Sequence, residues 1–138
     1  MKYFLFELTL SPLIIPPLEY PKITLVGVGL LGGSIGLAAK GRGVAGRVAG
    51  LVRREESIDE CLAAGVIDEA TLDAAEAMAG AKLVILCTPV GDMKELAVQL
   101  KPHMDEDAII TDVGSVKEDV VATVEPVCAR FVGSHPLA

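Results

Sequence analysis

The sequence predicts an α/β domain of the doubly wound type, with a mostly parallel sheet, and three observations support the prediction. Short apolar segments alternate with longer amphipathic segments along most of the 138 residues, as in parallel strands joined by right-handed crossover helices. The apolar segments show little alternation of apolar with polar residues, which is expected when helices cover both faces of a sheet. Hydrophobic residues make up 51% of a chain that has the length of one typical domain, so a single, largely aliphatic core is predicted.

The first 21 residues differ in composition from the rest. They are rich in aromatic residues and prolines, and Glu7 interrupts their apolar run. Prolines break helices, and no small-x-small cleavage site follows, so the segment fits neither a signal peptide nor a membrane-spanning helix. We predict an extended, proline-rich leader over residues 1–21, in which residues 3–10 could form a short strand, followed by one domain over residues 22–138.

Six short segments are predicted to be strands because they are apolar and rich in β-branched residues. The first ends in glycines, KLVILC at 82–87 is the clearest strand of the chain, and the signal at 69–71 is weak. The six segments are residues 23–26, 47–52, 69–71, 82–87, 108–112 and 130–133.

Five segments between these strands have the apolar spacing and the boundary signals of helices. In the first helix, Leu30, Ser34, Leu37 and Ala38 have helical spacing, and the helix is predicted to stop in glycines. Three later helices are predicted to begin with a capping box, in which a Ser or Asp is followed three residues later by Glu. The boxes are Ser57/Glu60, Asp92/Glu95 and Ser115/Glu118, and the helices are residues 30–40, 57–64, 72–78, 92–100 and 115–128.

Charge and cysteine content argue against several classes of partner. The 19 acidic residues outnumber the 12 basic residues and give a net charge of −7, which argues against binding to nucleic acid or to an anionic membrane surface. A small anionic ligand is still compatible, because backbone N–H groups and a few arginines can bind it locally. Cys61, Cys87 and Cys128 lack the spacing of a disulfide framework or a zinc site. We therefore expect reduced thiols, no metal site and a cytoplasmic protein.

Gly27, Gly29 and Gly32 form the pattern G-x-G-x-x-G between the first predicted strand and the first predicted helix. In that context the pattern is typical of a Rossmann-type dinucleotide site. Gly27 would allow the tight turn, Gly29 the approach of a pyrophosphate to the backbone, and Gly32 the close packing of helix and strand. The free N–H groups of the helix N-terminus, with Leu30 and Leu31, would then bind the phosphates. A methyltransferase loop would instead carry a glycine at position 31.

The choice of dinucleotide is predicted from the residues that end the second strand. NAD-binding domains often carry an acidic residue about twenty positions after the glycines, where it accepts a hydrogen bond from the ribose 2′-hydroxyl. The corresponding position is Val52, and Arg53 and Arg54 follow it. Two guanidinium groups could hold a 2′-phosphate, so the sequence favours NADP. NAD remains the alternative if Glu55 or Glu56 binds the ribose.

Three further segments follow later strands and should meet at the ligand-binding edge of an open α/β sheet. They are residues 87–89, 112–117 and 133–136. Thr88 and Pro89 would line the cofactor site. His135 is placed where a general base would act, although its spacing is equally compatible with an ordinary loop.

Two other polar residues near these segments have local interpretations. Ser115 is the predicted N-cap of the last helix, and it is also a candidate ligand contact, since an N-cap serine would lie at the same edge of the sheet. Asp112 could order the turn at Gly114. His103 follows a helix stop and is predicted to lie in a surface loop.

Four runs of residues stand in a characteristic order and spacing. They are ITLVGVGLLGGSIGLAAK (23–40), LCTP (86–89), TDVGSVK (111–117) and FVGSHPLA (131–138). In this order they resemble the prephenate/arogenate dehydrogenase family of tyrosine biosynthesis. The resemblance covers about residues 22–138, and the last two runs are far more specific than the glycine pattern.

The resemblance implies an oxidoreductase. Enzymes of this family oxidise a cyclohexadienol at its ring C4 hydroxyl, pass a hydride to a nicotinamide dinucleotide and release CO₂. The product is 4-hydroxyphenylpyruvate from prephenate, or tyrosine from arogenate. The histidine that matches His135 binds the 4-hydroxyl and takes up its proton, and the serine that matches Ser115 orients this histidine and lies beside the nicotinamide.

The family pattern continues beyond Ala138, where this chain ends. The resemblance implies a helical C-terminal domain that supplies most of a homodimer interface and the basic residues for the substrate carboxylates. The chain is thus predicted to be a single Rossmann-type domain without that second domain, and none of its five arginines lies on a segment assigned to substrate. One alternative is a catalytically silent dinucleotide-binding fragment or regulatory module. Another is a different Rossmann reductase, of the β-hydroxyacid or pyrroline-carboxylate type, against which Ser115 and His135 argue.

Overall fold

The computed structural model describes residues 20–136, and within them six strands form one sheet. The strands are β1 (Ile23–Val26), β2 (Val48–Leu51), β3 (Glu69–Thr71), β4 (Leu83–Leu86), β5 (Ile109–Asp112) and β6 (Phe131–Val132). Their spatial order is β3-β2-β1-β4-β5-β6, and every neighbouring pair is parallel. All six predicted strands and the predicted fold class are confirmed. Residues 1–19 of the predicted leader, with the strand predicted at 3–10, lie outside the described residues.

Helices connect successive strands of this sheet. They are α1 (Leu30–Gly41), α2 (Glu55–Ala63), α3 (Ala74–Met78), α4 (Val90–Leu100) and α5 (Lys117–Val124), with a 3-10 turn (Lys101–His103) directly after α4. Over the described part of the chain, no helix combines the length and the apolar character needed to cross a bilayer.

The predicted capping boxes of α2 and α4 are wrong. Both helices begin two residues earlier than predicted, and the amides of Ser57 and Asp92 already donate to carbonyls three residues before them, at 3.1 and 3.0 Å. These residues therefore lie inside the first turn, where their side chains cannot cap it. A side-chain cap does occur at α3, where Asp73 accepts a hydrogen bond from the amide of Glu76 at 2.8 Å.

The last predicted helix is shorter than expected at both ends. α5 begins at Lys117 with Val116 as its N-cap residue and has no side-chain cap, so the prediction of Ser115 as its N-cap is wrong. The helix ends at Val124, whereas the prediction extended to residue 128. Pro126 has no N–H group and cannot continue the ladder of helical hydrogen bonds.

α1 packs through its small residues and not through its leucines. Leu30 and Leu37, whose spacing predicted the helix, are 89% and 52% exposed. The buried residues of α1 are Gly32, Gly33, Gly36 and Ala39. A Cβ at Gly36 would lie 2.1 Å from the carbonyl oxygen of Val66 in the loop after α2. The helix therefore lies closer to this loop than any larger residue would permit.

The core forms two apolar layers, one on each face of the sheet. Side chains from α1 and α2 belong to one layer, and side chains from α3, α4 and α5 belong to the other. Neighbouring residues of β1 supply different layers, since Leu25 lies in the first and Val26 in the second. Apolar residues are thus needed on both faces of the strands, which explains the lack of alternation in the sequence. Among the described residues the buried core contains no aromatic side chain, so the predicted aliphatic core is confirmed.

The register of the sheet brings the carboxyl ends of four strands level. Val26 pairs with Leu51 on one side and with Leu86 on the other, and Leu86 pairs with Asp112. The segments that follow these strands therefore meet at one edge. The direction of winding changes between β1 and β4, and such a switch point opens a crevice in doubly wound sheets.

The close approach at Gly36 can be tested by substitution. Gly36→Ala should lower the free energy of unfolding by about 1–3 kcal/mol, because the added Cβ meets a backbone carbonyl that cannot move without repacking. Gly91→Ala is the matched control, since Gly91 lies in α4 with open space around its Cβ position, and it should be neutral or stabilising by up to about 1 kcal/mol. Urea denaturation followed by circular dichroism measures both, and equal midpoints for the two variants would contradict the packing described.

Candidate functional site

Two adjoining clefts open at the carboxyl edge of the sheet, at the switch between β1 and β4. The larger has a volume of about 810 Å³ and the smaller a volume of about 660 Å³. Gly29, Cys87, Thr88 and Pro89 line both clefts, so the two share a wall. Open α/β sheets bind their ligands at this edge.

The glycine pattern forms the turn between β1 and α1. Gly27 has a φ of +87°, a left-handed conformation that favours glycine. A Cβ at Gly32 would lie 2.3 Å from the carbonyl oxygen of Gly27; Gly32 lines neither cleft, and its role is to let α1 approach the turn. At Gly29 the space where a Cβ would stand is open. The amides of Leu30 and Leu31 lie in the first turn of α1, where N–H groups have no intrahelical partner.

Thr88 lies on the wall that the two clefts share. Within residues 20–136 its Oγ1 is buried and has no hydrogen-bond partner, although buried hydroxyl groups are normally paired. Pro89 follows as the N-cap residue of α4. An unpaired hydroxyl and the open backbone at Gly29, on the wall that the two clefts share, suit a ligand with polar groups, and the residues present therefore fit a dinucleotide.

Arg53 and Arg54 line the larger cleft together with Ser57. Arg54 is the N-cap residue of α2, so both arginines belong to the segment at a helix N-terminus, which itself favours anions. Glu55 and Glu56 are not among the residues that line this cleft. The lining thus includes the two arginines that favour NADP, and it does not include the two glutamates that would favour NAD.

The lining that α4 adds to the larger cleft is of mixed character. Leu96 contributes apolar surface, whereas Asp92 and Glu95 contribute carboxylates. The apolar part suits a flat, uncharged ring system, and the acidic part disfavours a phosphate. Phosphates would therefore bind on the side of the glycine turn and the arginines.

Ser115 and His135 meet at the smaller cleft, which Leu30 and Leu31 also line. The two residues come from different segments, after β5 and after β6, and both are exposed. The structure therefore brings both predicted catalytic residues to one surface beside the predicted cofactor site. His103 lies in the 3-10 turn and lines neither cleft.

Asp112 ends β5 and is completely buried. Its Oδ2 accepts a hydrogen bond from the amide of Gly114 at 2.7 Å and forms an ion pair with Lys117. Its Oδ1 accepts a hydrogen bond from the amide of Ser134 at 3.1 Å. The predicted ordering of the Gly114 turn by Asp112 is confirmed, whereas sequence reasoning missed Lys117 and Ser134. A buried carboxylate requires a cation, and Lys117 is the lysine nearest to Asp112 in the sequence.

Cys87 lines both clefts, but its thiol is not poised as a nucleophile. Burial raises the pKa of Cys87 to about 12, so the thiol is protonated at neutral pH and unreactive. In the span from Tyr20 to Pro136, no group of three His, Cys, Asp or Glu side chains is placed to hold a metal ion. Among the described residues that line the smaller cleft, His135 carries the imidazole, a group that can accept or donate a proton.

Comparison with known proteins gives consistent matches. Residues 35–138 match the sequence profile of a family described as prephenate dehydrogenase, nucleotide-binding domain. A prephenate dehydrogenase from Bacillus subtilis is 36% identical over 120 residues, which cover 84% of this chain and 32% of that protein. A cyclohexadienyl dehydrogenase from Zymomonas mobilis is 35% identical over 121 residues, which cover 86% of this chain and 41% of that protein. The chain therefore spans 32% and 41% of the lengths of these two relatives.

Solved structures agree with the sequence matches. The crystal structure of prephenate dehydrogenase from A. aeolicus, in complex with hydroxyphenyl propionate and NAD⁺, superposes with a TM-score of 0.79 at 36% identity, covering 84% of this chain and 41% of that one. Synechocystis arogenate dehydrogenase superposes with a TM-score of 0.78 at 32% identity, covering 83% of this chain and 40% of that one. With three quarters of its residues matched to the family profile, the chain belongs to the prephenate dehydrogenase family, in its nucleotide-binding domain.

Proposed function

We propose that this chain is the dinucleotide-binding part of an oxidoreductase that oxidatively decarboxylates prephenate or arogenate in tyrosine biosynthesis. The observation that carries the proposal is the placement of Ser115 and His135 at a cleft that shares a wall with the cleft of the glycine turn. Relatives named as prephenate, cyclohexadienyl and arogenate dehydrogenases supply the substrate class. Because the chain spans less than half of those relatives, the activity is proposed for a protein that carries this domain together with a substrate-binding part.

His135 would act as the proton acceptor of the reaction. An unprotonated imidazole nitrogen takes the proton of the ring C4 hydroxyl while the C4–H bond breaks as a hydride. The C4 oxygen is then a carbonyl. When the bond from C1 to its carboxylate breaks and CO₂ leaves, the electron pair of that bond makes the ring aromatic, and the C4 oxygen takes back the proton from the imidazole. Ser115, at the same cleft, would hydrogen-bond and orient the imidazole.

A bound nicotinamide dinucleotide would supply the hydride acceptor. Gly27 and Gly29, with the amides of Leu30 and Leu31, would hold its pyrophosphate at the start of α1. The unpaired hydroxyl of Thr88 would bind it between the two clefts, with Pro89 beside it, and Gly32 would support the turn from behind. This arrangement would direct the nicotinamide towards Ser115 and His135.

We propose NADP as the preferred dinucleotide, with NAD as the alternative. Arg53 and Arg54 line the larger cleft, whereas Glu55 and Glu56 do not. Guanidinium groups bind phosphate by charge-assisted hydrogen bonds, so they would favour a ribose that carries a 2′-phosphate. The A. aeolicus relative was crystallised with NAD⁺, so the test below measures the binding of NAD as well as that of NADP.

One observation favours a second candidate, a catalytically silent dinucleotide-binding module. Among the described residues, neither an arginine nor a lysine lines the smaller cleft. Carboxylate groups of a substrate need cationic partners, which the proposed function assigns to the substrate-binding part. A module without such a part would bind the dinucleotide and turn nothing over.

We also propose a cytoplasmic location and, for the form with the substrate-binding part, a homodimer. The three cysteines are free thiols, as expected in a reducing compartment. The only partner proposed besides a second copy is the small-molecule substrate, since the net charge of −7 disfavours nucleic acid and anionic membranes. Light scattering of that form would contradict the dimer if it gave the mass of one chain.

The proposed function predicts turnover when the two parts are joined. This chain, fused to the substrate-binding part of the Bacillus subtilis relative, should reduce a nicotinamide dinucleotide in the presence of prephenate or arogenate. The absorbance of the reduced nicotinamide measures turnover, and calorimetry measures dinucleotide binding by the chain alone and by the fusion. Tight binding without turnover on either substrate would support the silent module instead.

Replacement of the proposed proton acceptor should abolish turnover and spare binding. In the fusion, His135→Asn should lower kcat by about 10²–10⁴-fold, the usual contribution of a positioned general base, while the dinucleotide Kd stays within about twofold. His103→Asn is the matched control, because His103 lies away from both clefts. The assignment of His135 fails if the two variants have the same kcat.

The choice of dinucleotide is tested by removing the two arginines. Arg53→Ala with Arg54→Ala should raise the Kd for NADP by about 10- to 100-fold, since a charge-assisted hydrogen bond contributes about 1.5–3 kcal/mol, and should change the Kd for NAD little. Arg42→Ala is the control, because Arg42 lies beyond the C-terminus of α1 and lines neither cleft. Equal losses for NADP and NAD, measured by calorimetry, would refute the preference for NADP.

A further inference from the structure

The buried carboxylate of Asp112 connects the segment that carries Ser115 to the segment that carries His135. Its Oδ2 holds the amide of Gly114 at 2.7 Å and its Oδ1 holds the amide of Ser134 at 3.1 Å. Each of these amides belongs to the residue directly before a proposed site residue. One side chain therefore fixes the backbone on both sides of the smaller cleft.

Lys117 completes this connection from the first turn of α5. Its ammonium group pairs with Oδ2 of Asp112, and its side chain is 31% exposed, whereas that of Asp112 is 0% exposed. The aliphatic stem of Lys117 also lies against the backbone of the His135 segment, because a Cβ at Gly133 would be 2.9 Å from Cδ of Lys117. The lysine thus neutralises the buried charge and covers the segment at the same time.

The segment after β6 depends on such side-chain contacts. β6 has two residues, and its register with β5 ends at the pair Thr111 and Val132. At that pair, Thr111 Oγ1 donates to the carbonyl of Val132 at 2.6 Å. Beyond it, the hydroxyl of Ser134 donates to the carbonyl of Asp112. Sheet pairing stops at Val132, so hydrogen bonds that involve the side chains of Asp112 and Ser134 hold the segment that carries His135.

From these contacts we propose that Asp112 and Lys117 are positioning residues, which hold His135 against Ser115 at the geometry that proton transfer requires. Neither residue lines the cleft, so both act through Gly114, Gly133 and Ser134. The role in catalysis rests on the function proposed above. The role in positioning does not, because it concerns the folded chain alone.

The chain offers an internal comparison for the test, since His135 and His103 are its only two histidines. In Lys117→Met the ring Cε1–Hε1 signal of His135 should move and sharpen in the NMR spectrum, while the signal of His103 stays in place. The amide of Ser134 should exchange with solvent at least about tenfold faster, as its hydrogen bond to Asp112 opens more often. Lys117→Arg, which keeps a cation in reach, should restore both readouts.

Lys40→Met is the matched control. The side chain of Lys40 is also 31% exposed and pairs with a carboxylate, that of Asp68, at 2.8 Å, but this partner is 39% exposed and lines neither cleft. This variant should leave the His135 signal and the Ser134 exchange rate as they are in the unmodified chain. If it changes them as much as Lys117→Met does, or if Lys117→Met moves His103 and His135 alike, the effect is general loosening and the positioning role is overturned.

A second variant covers the case in which Lys117→Met does not fold, since removing one partner of a buried pair is strongly destabilising. Asp112→Asn combined with Lys117→Met removes both charges and keeps the volume. The amide side chain has one acceptor oxygen in place of two, so it cannot hold both the Gly114 and the Ser134 amides. A folded double variant with an unchanged His135 signal and unchanged Ser134 exchange would overturn the proposal.

Kinetics separate positioning from binding. In the fusion described above, Lys117→Met should lower kcat by about 10- to 100-fold, the effect of a small misplacement of a reacting group, with the dinucleotide KM within about twofold. Equal losses in kcat and dinucleotide affinity would overturn the positioning role. If the unmodified fusion proves inactive, the proposed function fails, and the NMR and exchange results still decide whether Asp112 and Lys117 position His135.

Discussion

In-register pairing of β1, β4 and β5 sets Val26, Leu86 and Asp112 level at one edge of the sheet. The glycine turn, the hydroxyl of Thr88 and the turn at Ser115 all begin within three residues of these strand ends. A slip of one residue in any of the three strands would send its side chains to the opposite face. The two apolar layers forbid that slip, so packing remote from any ligand fixes the relative positions of the site residues.

The charge of Asp112 illustrates how a buried side chain can hold exposed residues in place. A carboxylate is costly to bury unless its oxygens are fully paired, and here two amides and one ammonium group satisfy it. All three donors belong to segments that border the smaller cleft. The carboxylate of Asp112 is fully paired only when these segments adopt the arrangement seen here, so its burial favours that arrangement. The same arrangement places Ser115 and His135 at one cleft.

The sequence predicts the strands and the glycine turn well because their signals are local. Gly27 is required by its left-handed backbone conformation, and Gly32 is required by its close contact with Gly27, five residues before it. Each strand is a short apolar run. The helix starts were predicted less well. α2 and α4 begin soon after the preceding strand ends, and neither start is marked by a capping Ser or Asp side chain.

Contacts between distant residues escaped prediction for a different reason. The packed face of α1 was not predicted, because hydrophobicity points to Leu30 whereas the close approach to Val66 selects Gly36. The bond from Ser134 to Asp112 joins residues 22 positions apart. Such a bond depends on the register of β5 with β6, and no pattern within either segment contains that information.

The distribution of charge divides the recognition of ligands between two regions. The protein is acidic overall, yet the larger cleft places Arg53 and Arg54 near the start of α2 and keeps Asp92 and Glu95 on α4. This distribution of charge would orient an anionic dinucleotide with its phosphates away from α4. In the smaller cleft the described residues present an imidazole, hydroxyls and apolar groups but no cation. Prephenate and arogenate share their ring and differ in the side chain, so under the proposed function this cleft would take the reacting ring that both contain. Under the proposed function, the larger cleft would select the dinucleotide, and the substrate-binding part would supply the cations for the carboxylates that prephenate and arogenate both carry.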